Sequence, residues 1–140
     1  MIADRSPRHK SVKMKIDHIA IWTNNLETLR SFYIKYFHGE CGEKYRNDRS
    51  EFESYFISFS SGSRLEIMTI SGLETDFGQQ NRIGIAHLSF RVGSKKAVDL
   101  LTSELRSAGI SVYSEPRITG DGYYESGILD PDGNRVEIIA

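Results

Sequence analysis

The chain contains the same short pattern twice, and this internal repeat restricts its fold more than any other feature of the sequence. Residues 62–67 read Gly-Ser-Arg-Leu-Glu-Ile, and residues 133–138 read Gly-Asn-Arg-Val-Glu-Ile. Residues 16–19 read Ile-Asp-His-Ile, and residues 85–88 read Ile-Ala-His-Leu. Each half therefore has one histidine near its beginning and one glutamate near its end. The repeat predicts two equivalent modules that pack together.

Length and composition fit these two modules and exclude several classes of partner. A chain of 140 residues with 39% hydrophobic residues is of a size for one compact domain. The net charge of -1 and the pI of 6.4 provide no basic excess for nucleic acid or an anionic membrane. The single cysteine, Cys41, excludes an internal disulfide framework, and no apolar run is long enough to cross a bilayer or form a signal-peptide core. We expect a cytoplasmic protein.

The first half reads as a strand, a helix and three further strands. Asn24 or Asn25 is suited to cap the helix, whose apolar residues recur at helical spacing until Gly39. Alternating or β-branched segments mark the strands. The predicted strands of this half are 16–22, 40–46, 52–60 and 63–70.

The second half repeats this order after a linker. Ser94 is suited to cap a helix that ends at Gly109 and carries the apolar residues Ala97, Leu100, Leu101, Leu105 and Ala108. The predicted strands of this half are 83–92, 111–117, 122–129 and 134–139. We therefore predict an α+β fold of two tandem βαβββ modules that form a cupped mixed sheet. The predicted divisions are a flexible N-terminal extension at 1–13, a single domain at 14–140, module one at 14–70, a linker at 71–82 and module two at 83–140.

Two histidines and two glutamates are the candidate metal ligands. Glu66 and Glu137 each lie between apolar residues of a strand, so alternation directs them to the face opposite the helices, and His18 and His87 have the same preference. Burying an isolated carboxylate costs several kcal/mol, which a metal ion would offset. Each residue alone also fits an ordinary exposed strand position. The repetition of all four favours a divalent metal site.

Further side chains are candidates for substrate contacts. Trp22 and Met68 share the predicted ligand face, where they can form an apolar wall, although core packing explains them equally well. Two arginines and three tyrosines can line a pocket and bind a carboxylate or hydroxyl group: Arg91, Arg117, Tyr55, Tyr123 and Tyr124. The alternative is that the arginines are solvated strand residues and the tyrosines only cover the sheet.

The combination of these motifs resembles the vicinal oxygen chelate superfamily, which includes glyoxalases, bleomycin resistance proteins and dioxygenases. The resemblance rests on the repeated βαβββ pattern, on Asp-His-Ile-Ala-Ile around His18, on Gly-Ile-Ala-His-Leu-Ser-Phe around His87 and on the closing Asp-Pro-Asp-Gly-Asn-Arg-Val-Glu-Ile. It covers about residues 14–140 and is strongest to the glyoxalase I branch. The resemblance implies that His18 and Glu66 are the ligands of the first module, and His87 and Glu137 those of the second.

The resemblance also implies an activity. We expect a metal-dependent lyase or isomerase, similar to lactoylglutathione lyase, that acts on a small α-hydroxycarbonyl or thiol-adduct substrate by proton transfer. Glu137 is the preferred base and Glu66 the second candidate. The expected cofactor is one divalent ion per site, Zn, Ni, Co or Mn rather than Fe.

Three other activities remain open at this stage. They are an epimerase of acyl thioesters, a non-catalytic small-molecule or drug-binding resistance protein, and an Fe(II) oxygenase. The resemblance implies a homodimer, in which the site forms either within one chain or between two.

Overall fold

The computed structural model describes residues 14–74 and 83–140, which form two mixed sheets with one helix on each. The prediction of an α+β fold with two βαβββ modules is confirmed. The predicted extension at 1–13 and most of the predicted linker lie outside the described residues. In the part of the chain that is described, neither helix has the length and apolar character to span a bilayer.

The first module contains a five-stranded sheet. Strand β1 pairs in parallel with β5, which pairs antiparallel with β4, and both β2 and β3 pair antiparallel with β4. Strand β1 therefore lies at an open edge of this sheet. The elements are β1 (His18–Trp22), α1 (Leu26–Phe37), β2 (Glu40–Cys41), β3 (Tyr45–Asn47), β4 (Phe52–Ser58) and β5 (Arg64–Thr69).

The second module repeats this arrangement with four strands. Strand β6 pairs in parallel with β9, and β9, β8 and β7 pair antiparallel in that order, so β6 also lies at an open edge. The elements are β6 (Leu88–Arg91), α2 (Lys95–Ser107), β7 (Val112–Ile118), β8 (Tyr124–Leu129) and β9 (Arg135–Ile139).

The helix ends follow the capping residues of the sequence with one exception. The Asn25 side chain accepts a hydrogen bond from the Thr28 N–H, and the Ser94 hydroxyl accepts one from the Ala97 N–H. At the end of α1, however, His38 rather than Gly39 adopts the left-handed conformation, with φ of 55°. Gly39 is required for a different reason, because a Cβ there would lie 2.4 Å from Cγ2 of Ile57.

An aromatic and polar contact joins the two modules on the helix side. The ring of Phe90 in β6 lies 4.5 Å from that of Phe37 and 5.0 Å from that of Phe59, measured between centroids. The buried hydroxyl of Tyr33 in α1 donates a 2.8 Å hydrogen bond to Asp130, in the turn between β8 and β9. The helix faces of both sheets thus form the core, and the opposite faces are left for the candidate ligands.

Two predictions about individual strands are wrong. The strand predicted at 40–46 is two short strands, because four residue steps separate Cys41 from Tyr45 whereas only three separate their partners on β4, which forces a bulge. The strand predicted at 83–92 begins only at Leu88, since its partner β9 begins at Arg135.

The core positions of α2 are taken by residues other than Leu100, which is 61% exposed. Val98, Thr102 and Leu105 are its buried side chains. The Thr102 hydroxyl lies 2.6 Å from that of Ser126 in β8, so the hydrogen-bonding capacity of this polar residue is satisfied within the core. The buried face of α2 therefore includes a polar residue among its apolar ones.

Candidate functional site

In the first module, strand pairing brings His18 and Glu66 together. Strand β1 runs parallel to β5 with Ala20 opposite Glu66, so His18 lies one pleat away on the same face. Nε2 of His18 is 3.7 Å from Oε2 of Glu66. The Glu66 side chain is 14% exposed, while Leu65 and Ile67 on either side of it are buried beneath the helix. The predicted direction of this glutamate agrees with the burial pattern.

Asp17 holds the His18 ring in a defined orientation. Nδ1 of His18 lies 2.9 Å from Oδ2 of Asp17, and because an ionised carboxylate only accepts, Nδ1 must carry the proton in this bond. The hydrogen bond from His18, followed by the effects of Arg64 at 2.7 Å, lowers the pKa of Asp17 from 3.8 to about 2. The other ring nitrogen, Nε2, points toward Glu66, and carboxylate–histidine pairs of this kind orient the histidine ligands of metal sites.

An aromatic ring covers the remaining side of the first pair. Phe56 in β4 is directly opposite Glu66, and its ring meets the His18 ring edge-on with centroids 5.3 Å apart. The guanidinium of Arg64 also lies over the Phe56 ring, 4.3 Å from its centroid. The first pair is therefore closed by protein side chains on the β4 side.

The second module forms the equivalent pair with different surroundings. Nε2 of His87 is 3.2 Å from Oε2 of Glu137, and the Ser89 hydroxyl donates to the same carboxylate at 3.5 Å. His87 lies just before β6 rather than within it. Ala86 occupies the position that corresponds to Asp17, so this histidine has no adjacent carboxylate of that kind.

A cavity of about 280 Å³ opens beside Glu137. Tyr113, Arg117 and Glu125 provide its other ionisable side chains, and Gly127 forms part of its floor. Burial first, and then the charge of Glu137, raises the pKa of the Glu125 carboxyl and that of the Tyr113 phenol. The cavity thus presents carboxyl, hydroxyl and guanidinium groups next to one candidate ligand.

The spacing within each pair fits one metal ion. Two donors that each lie about 2.1 Å from an ion are about 3.0 Å apart at a right angle and about 3.4 Å apart at a tetrahedral angle. The two Nε2–Oε2 distances of 3.7 and 3.2 Å are close to this range. Among residues 14–74 and 83–140, however, no three histidine, cysteine, aspartate or glutamate side chains converge as a ligand group. The two His–Glu pairs lie on separate sheets, and each pair is called a half-site below.

The predicted substrate-contacting residues lie at differing positions. Trp22, 50% exposed, and Met68 are neighbours on β1 and β5, on the face of the first pair. Arg91 lies on the face of Ser89 in β6 and donates to the carbonyl of Ala140. Tyr123 is in the hairpin turn between β7 and β8, outside the lining of the cavity. None of these four borders the cavity, whereas Arg117 does.

Two cavity residues, Tyr113 and Glu125, were not predicted as site residues. In the sequence, the strands that contain them, β7 and β8, have the pattern of ordinary edge and amphipathic strands. The signal that was available is Gly127, a glycine in the interior of a strand, which often marks a close approach of another group.

Comparison with known proteins agrees with this architecture. A family model described as the Glyoxalase/Bleomycin resistance protein/Dioxygenase superfamily matches residues 15–138. The uncharacterized protein YqjT of Bacillus subtilis (strain 168) is 30% identical over 131 residues, which cover 88% of this chain and 96% of that protein.

Solved structures share the fold at lower identity. A glyoxylase/bleomycin resistance protein/dioxygenase domain from Frankia sp. EAN1pec has a TM-score of 0.76 at 20% identity and covers 90% of this chain and 96% of its own. Glyoxalase I from Zea mays has a TM-score of 0.74 at 20% identity and covers 89% of this chain, which spans 44% of the maize chain. The trypanothione-dependent glyoxalase I of Leishmania major has a TM-score of 0.71 at 18% identity, covering 90% of this chain and 86% of its own.

Proposed function

Because this chain belongs to the Glyoxalase/Bleomycin resistance protein/Dioxygenase superfamily, we propose that it is a metal-dependent lyase or isomerase of the glyoxalase type. The proposed substrate is a small α-hydroxycarbonyl compound or a thiol adduct of one. The observation that carries the proposal is the pair of equivalent His–Glu contacts, His18 with Glu66 and His87 with Glu137. These four residues would hold Zn, Ni, Co or Mn.

In the proposed reaction, the bound ion and Glu137 have different roles. A bound divalent ion would polarise a substrate carbonyl and so make the neighbouring C–H more acidic. Glu137 removes that proton and returns it to the adjacent carbon, which is general acid–base catalysis by one carboxylate. Its position at the cavity, where a substrate carbon has room, favours Glu137 over Glu66, whose equivalent side is covered by Phe56.

Assembly into a homodimer is part of the proposal. We propose that a second copy of the chain combines the two pairs, which lie on separate sheets, so that each four-ligand site takes one pair from each protomer. Both histidines lie at the open sheet edges formed by β1 and β6. Exposed apolar residues precede both strands, which favours burial against a partner: Met14, Ile16, Ile83 and Ile85. In this dimer His18 and Glu66 of one protomer face His87 and Glu137 of the other, and each dimer has two sites.

Metal content is the first test. Elemental mass spectrometry of the purified protein should find about one Zn, Ni, Co or Mn per chain, and His87→Ala should lose it. Iron with oxygen uptake would replace this proposal by the oxygenase. Absence of metal after reconstitution would leave a ligand-binding role as the better account.

Turnover is the second test. The metal-loaded protein is assayed with thiol hemithioacetals of methylglyoxal and with acyl thioesters, in parallel with Glu137→Gln and the surface control Glu115→Gln. Loss of the catalytic base should lower kcat by about 10²-fold or more while metal remains bound. Equal activity in Glu137→Gln would refute the role of this base. Tight substrate binding without turnover in the parent protein would favour a resistance protein, and turnover of thioesters alone would favour the epimerase.

Mixing two inactive variants tests the shared site. A heterodimer of His18→Ala and His87→Ala chains has one site with all four ligands and one site that lacks both histidines. Remixing should therefore restore up to half of the activity per mixed dimer. No recovery in dimers shown to have exchanged subunits would mean that the site forms within one chain.

A further inference from the structure

The two half-sites differ at one position of the repeat. Glu66 has Phe56 directly opposite on the neighbouring strand, whereas Glu137 has Gly127. The ring of Phe56 occupies the space beside the first glutamate and packs on His18. Because residue 127 has no side chain, the space beside the second glutamate is taken by the ring of Tyr113. The cavity of about 280 Å³ lies beside the second glutamate and is lined by both Gly127 and Tyr113.

Tyr113 projects over this glycine from the adjacent edge strand. A Cβ on Gly127 would lie 2.3 Å from Cζ and 2.7 Å from the hydroxyl oxygen of Tyr113, so the phenol end of the ring lies against the bare backbone. The pairing of β7 with β8 steps from Val112 opposite Ile128 to Ser114 opposite Gly127, which makes Tyr113 the extra residue of a β-bulge. Bulges of this kind turn a side chain toward a new direction and recur beside active sites.

A stacked arginine holds the ring in place. The guanidinium of Arg135 lies 5.2 Å from the centroid of Tyr113, as that of Arg64 lies 4.3 Å from the centroid of Phe56. Arg64 and Arg135 are equivalent residues of the repeat. In each half-site an aromatic ring with an arginine stacked on it therefore lies beside the glutamate. The ring of the second half-site, Tyr113, carries a hydroxyl group, whereas Phe56 of the first does not.

Building on the proposed function, we propose that Tyr113 is a specificity-determining residue of the second half-site. Its hydroxyl donates a hydrogen bond to a hydroxyl or carbonyl oxygen of the substrate, in the cavity next to Glu137. The substrate class is accordingly a small molecule with an oxygen acceptor beyond the two oxygens that chelate the metal. The second module binds the body of the substrate, and the first module contributes ligands.

The state of the hydroxyl agrees with this role. Burial and the nearby Glu137 raise the pKa of the Tyr113 phenol, so it remains a protonated donor at neutral pH. Within the part of the chain that is described, no side chain or carbonyl accepts a hydrogen bond from it. Tyr124 provides a contrast, because its hydroxyl points to the helix side of the same sheet and donates to Asp99 at 2.6 Å.

A pair of matched ligands tests the hydrogen bond without turnover. Lactohydroxamate and propionohydroxamate chelate a metal through the same group and differ only by one hydroxyl. Calorimetric titration of the Zn²⁺-loaded protein should show about a 3- to 10-fold preference for lactohydroxamate, the range of one neutral hydrogen bond. Tyr113→Phe should remove this preference, and the control Tyr124→Phe should retain it. An unchanged preference in Tyr113→Phe, or no preference in the parent protein, would overturn the proposal.

A metal-free measurement separates this inference from the proposed function. In NMR spectra of protein labelled at the tyrosine rings, contacts between the Tyr113 ring and Gly127 should be present. Gly127→Ala should displace the ring resonances, whereas Gly42→Ala, where a Cβ has open space, should not. Missing ring contacts would refute the inference even if the protein is an active metalloenzyme. Intact contacts and an intact ligand preference, without any turnover, would refute only the proposed reaction.

Discussion

Replacing Tyr33 by phenylalanine should weaken the junction between the two modules by about 2 kcal/mol. The Tyr33 hydroxyl donates a 2.8 Å hydrogen bond to Asp130, and the two residues are 0% and 4% exposed, so water does not substitute for the lost donor. Hydrogen bonds to charged groups contribute about 1.5–3 kcal/mol. Asp130 keeps its bonds from the N–H groups of Asp132 and Asn134 and from the Asn134 amide, which places the loss near the middle of that range.

Urea denaturation followed by circular dichroism measures this loss. With a slope of about 2 kcal/mol/M, the midpoint of Tyr33→Phe should fall by about 1 M. Tyr36→Phe is the matched control, because Tyr36 lies on the same helix and packs against the same Phe32 ring, and no group in the described residues accepts from its hydroxyl. A loss below about 0.5 kcal/mol, or an equal loss in the control, would refute the reasoning.

The same substitution should alter the acidity of Asp130. Burial raises the pKa of this carboxyl above 3.8, and the hydrogen bonds of Asn134 and Tyr33 oppose the rise. Removing the tyrosine donor should therefore raise the pKa of Asp130 further, which carbon-13 NMR of the carboxyl group can follow. Because the folded-state pKa is raised, the contribution of Asp130 to stability is present below the unfolded value and is lost as pH rises through the folded value.

Asp17→Asn should weaken Zn²⁺ binding by about 10-fold in competition titrations, because it removes the charged partner of His18. At neutral pH, Asp17→Asn should also be less stable than the parent protein. This difference should disappear as pH falls from 3.8 to about 2, because the lowered pKa means that ionised Asp17 stabilises the fold above this range. A difference that persists at pH 2 would exclude this cause. Gly39→Ala should cost about 1–3 kcal/mol in urea denaturation, because its Cβ would meet Ile57, whereas Gly42→Ala should cost less than half of that value.

The repeat made the elements and ligand faces of this chain predictable. The duplication identified the two modules. Strand alternation predicted that Glu66 and Glu137 point away from the helices, and the burial patterns of β5 and β9 agree with this prediction. These features depend on local periodicity, which the sequence contains. The helix caps at Asn25 and Ser94 were predictable for the same reason.

Features that depend on the register between strands were not predictable. Alternation in 111–117 does not reveal the extra residue that turns Tyr113 over Gly127, because that bulge is defined only by the pairing of β7 with β8. The junction between Tyr33 and Asp130 joins residues 97 positions apart, and no local pattern connects them. The burial of Thr102 in α2 likewise involves a contact with Ser126, 24 positions away, which no local pattern predicts.

The two half-sites are equivalent in their ligands but not in their surroundings, and this difference assigns them different roles. His18 has a carboxylate partner in Asp17, and Phe56 covers its glutamate, so the first half-site is ordered and closed. The second half-site has no counterpart of Asp17 and opens to a cavity at Gly127. A closed half-site suits a metal anchor, whereas an open one leaves room for a substrate and for a base that moves. On these grounds we propose that the catalytic proton transfer belongs to Glu137 of one protomer, and that the rigid part of the metal site belongs to the other.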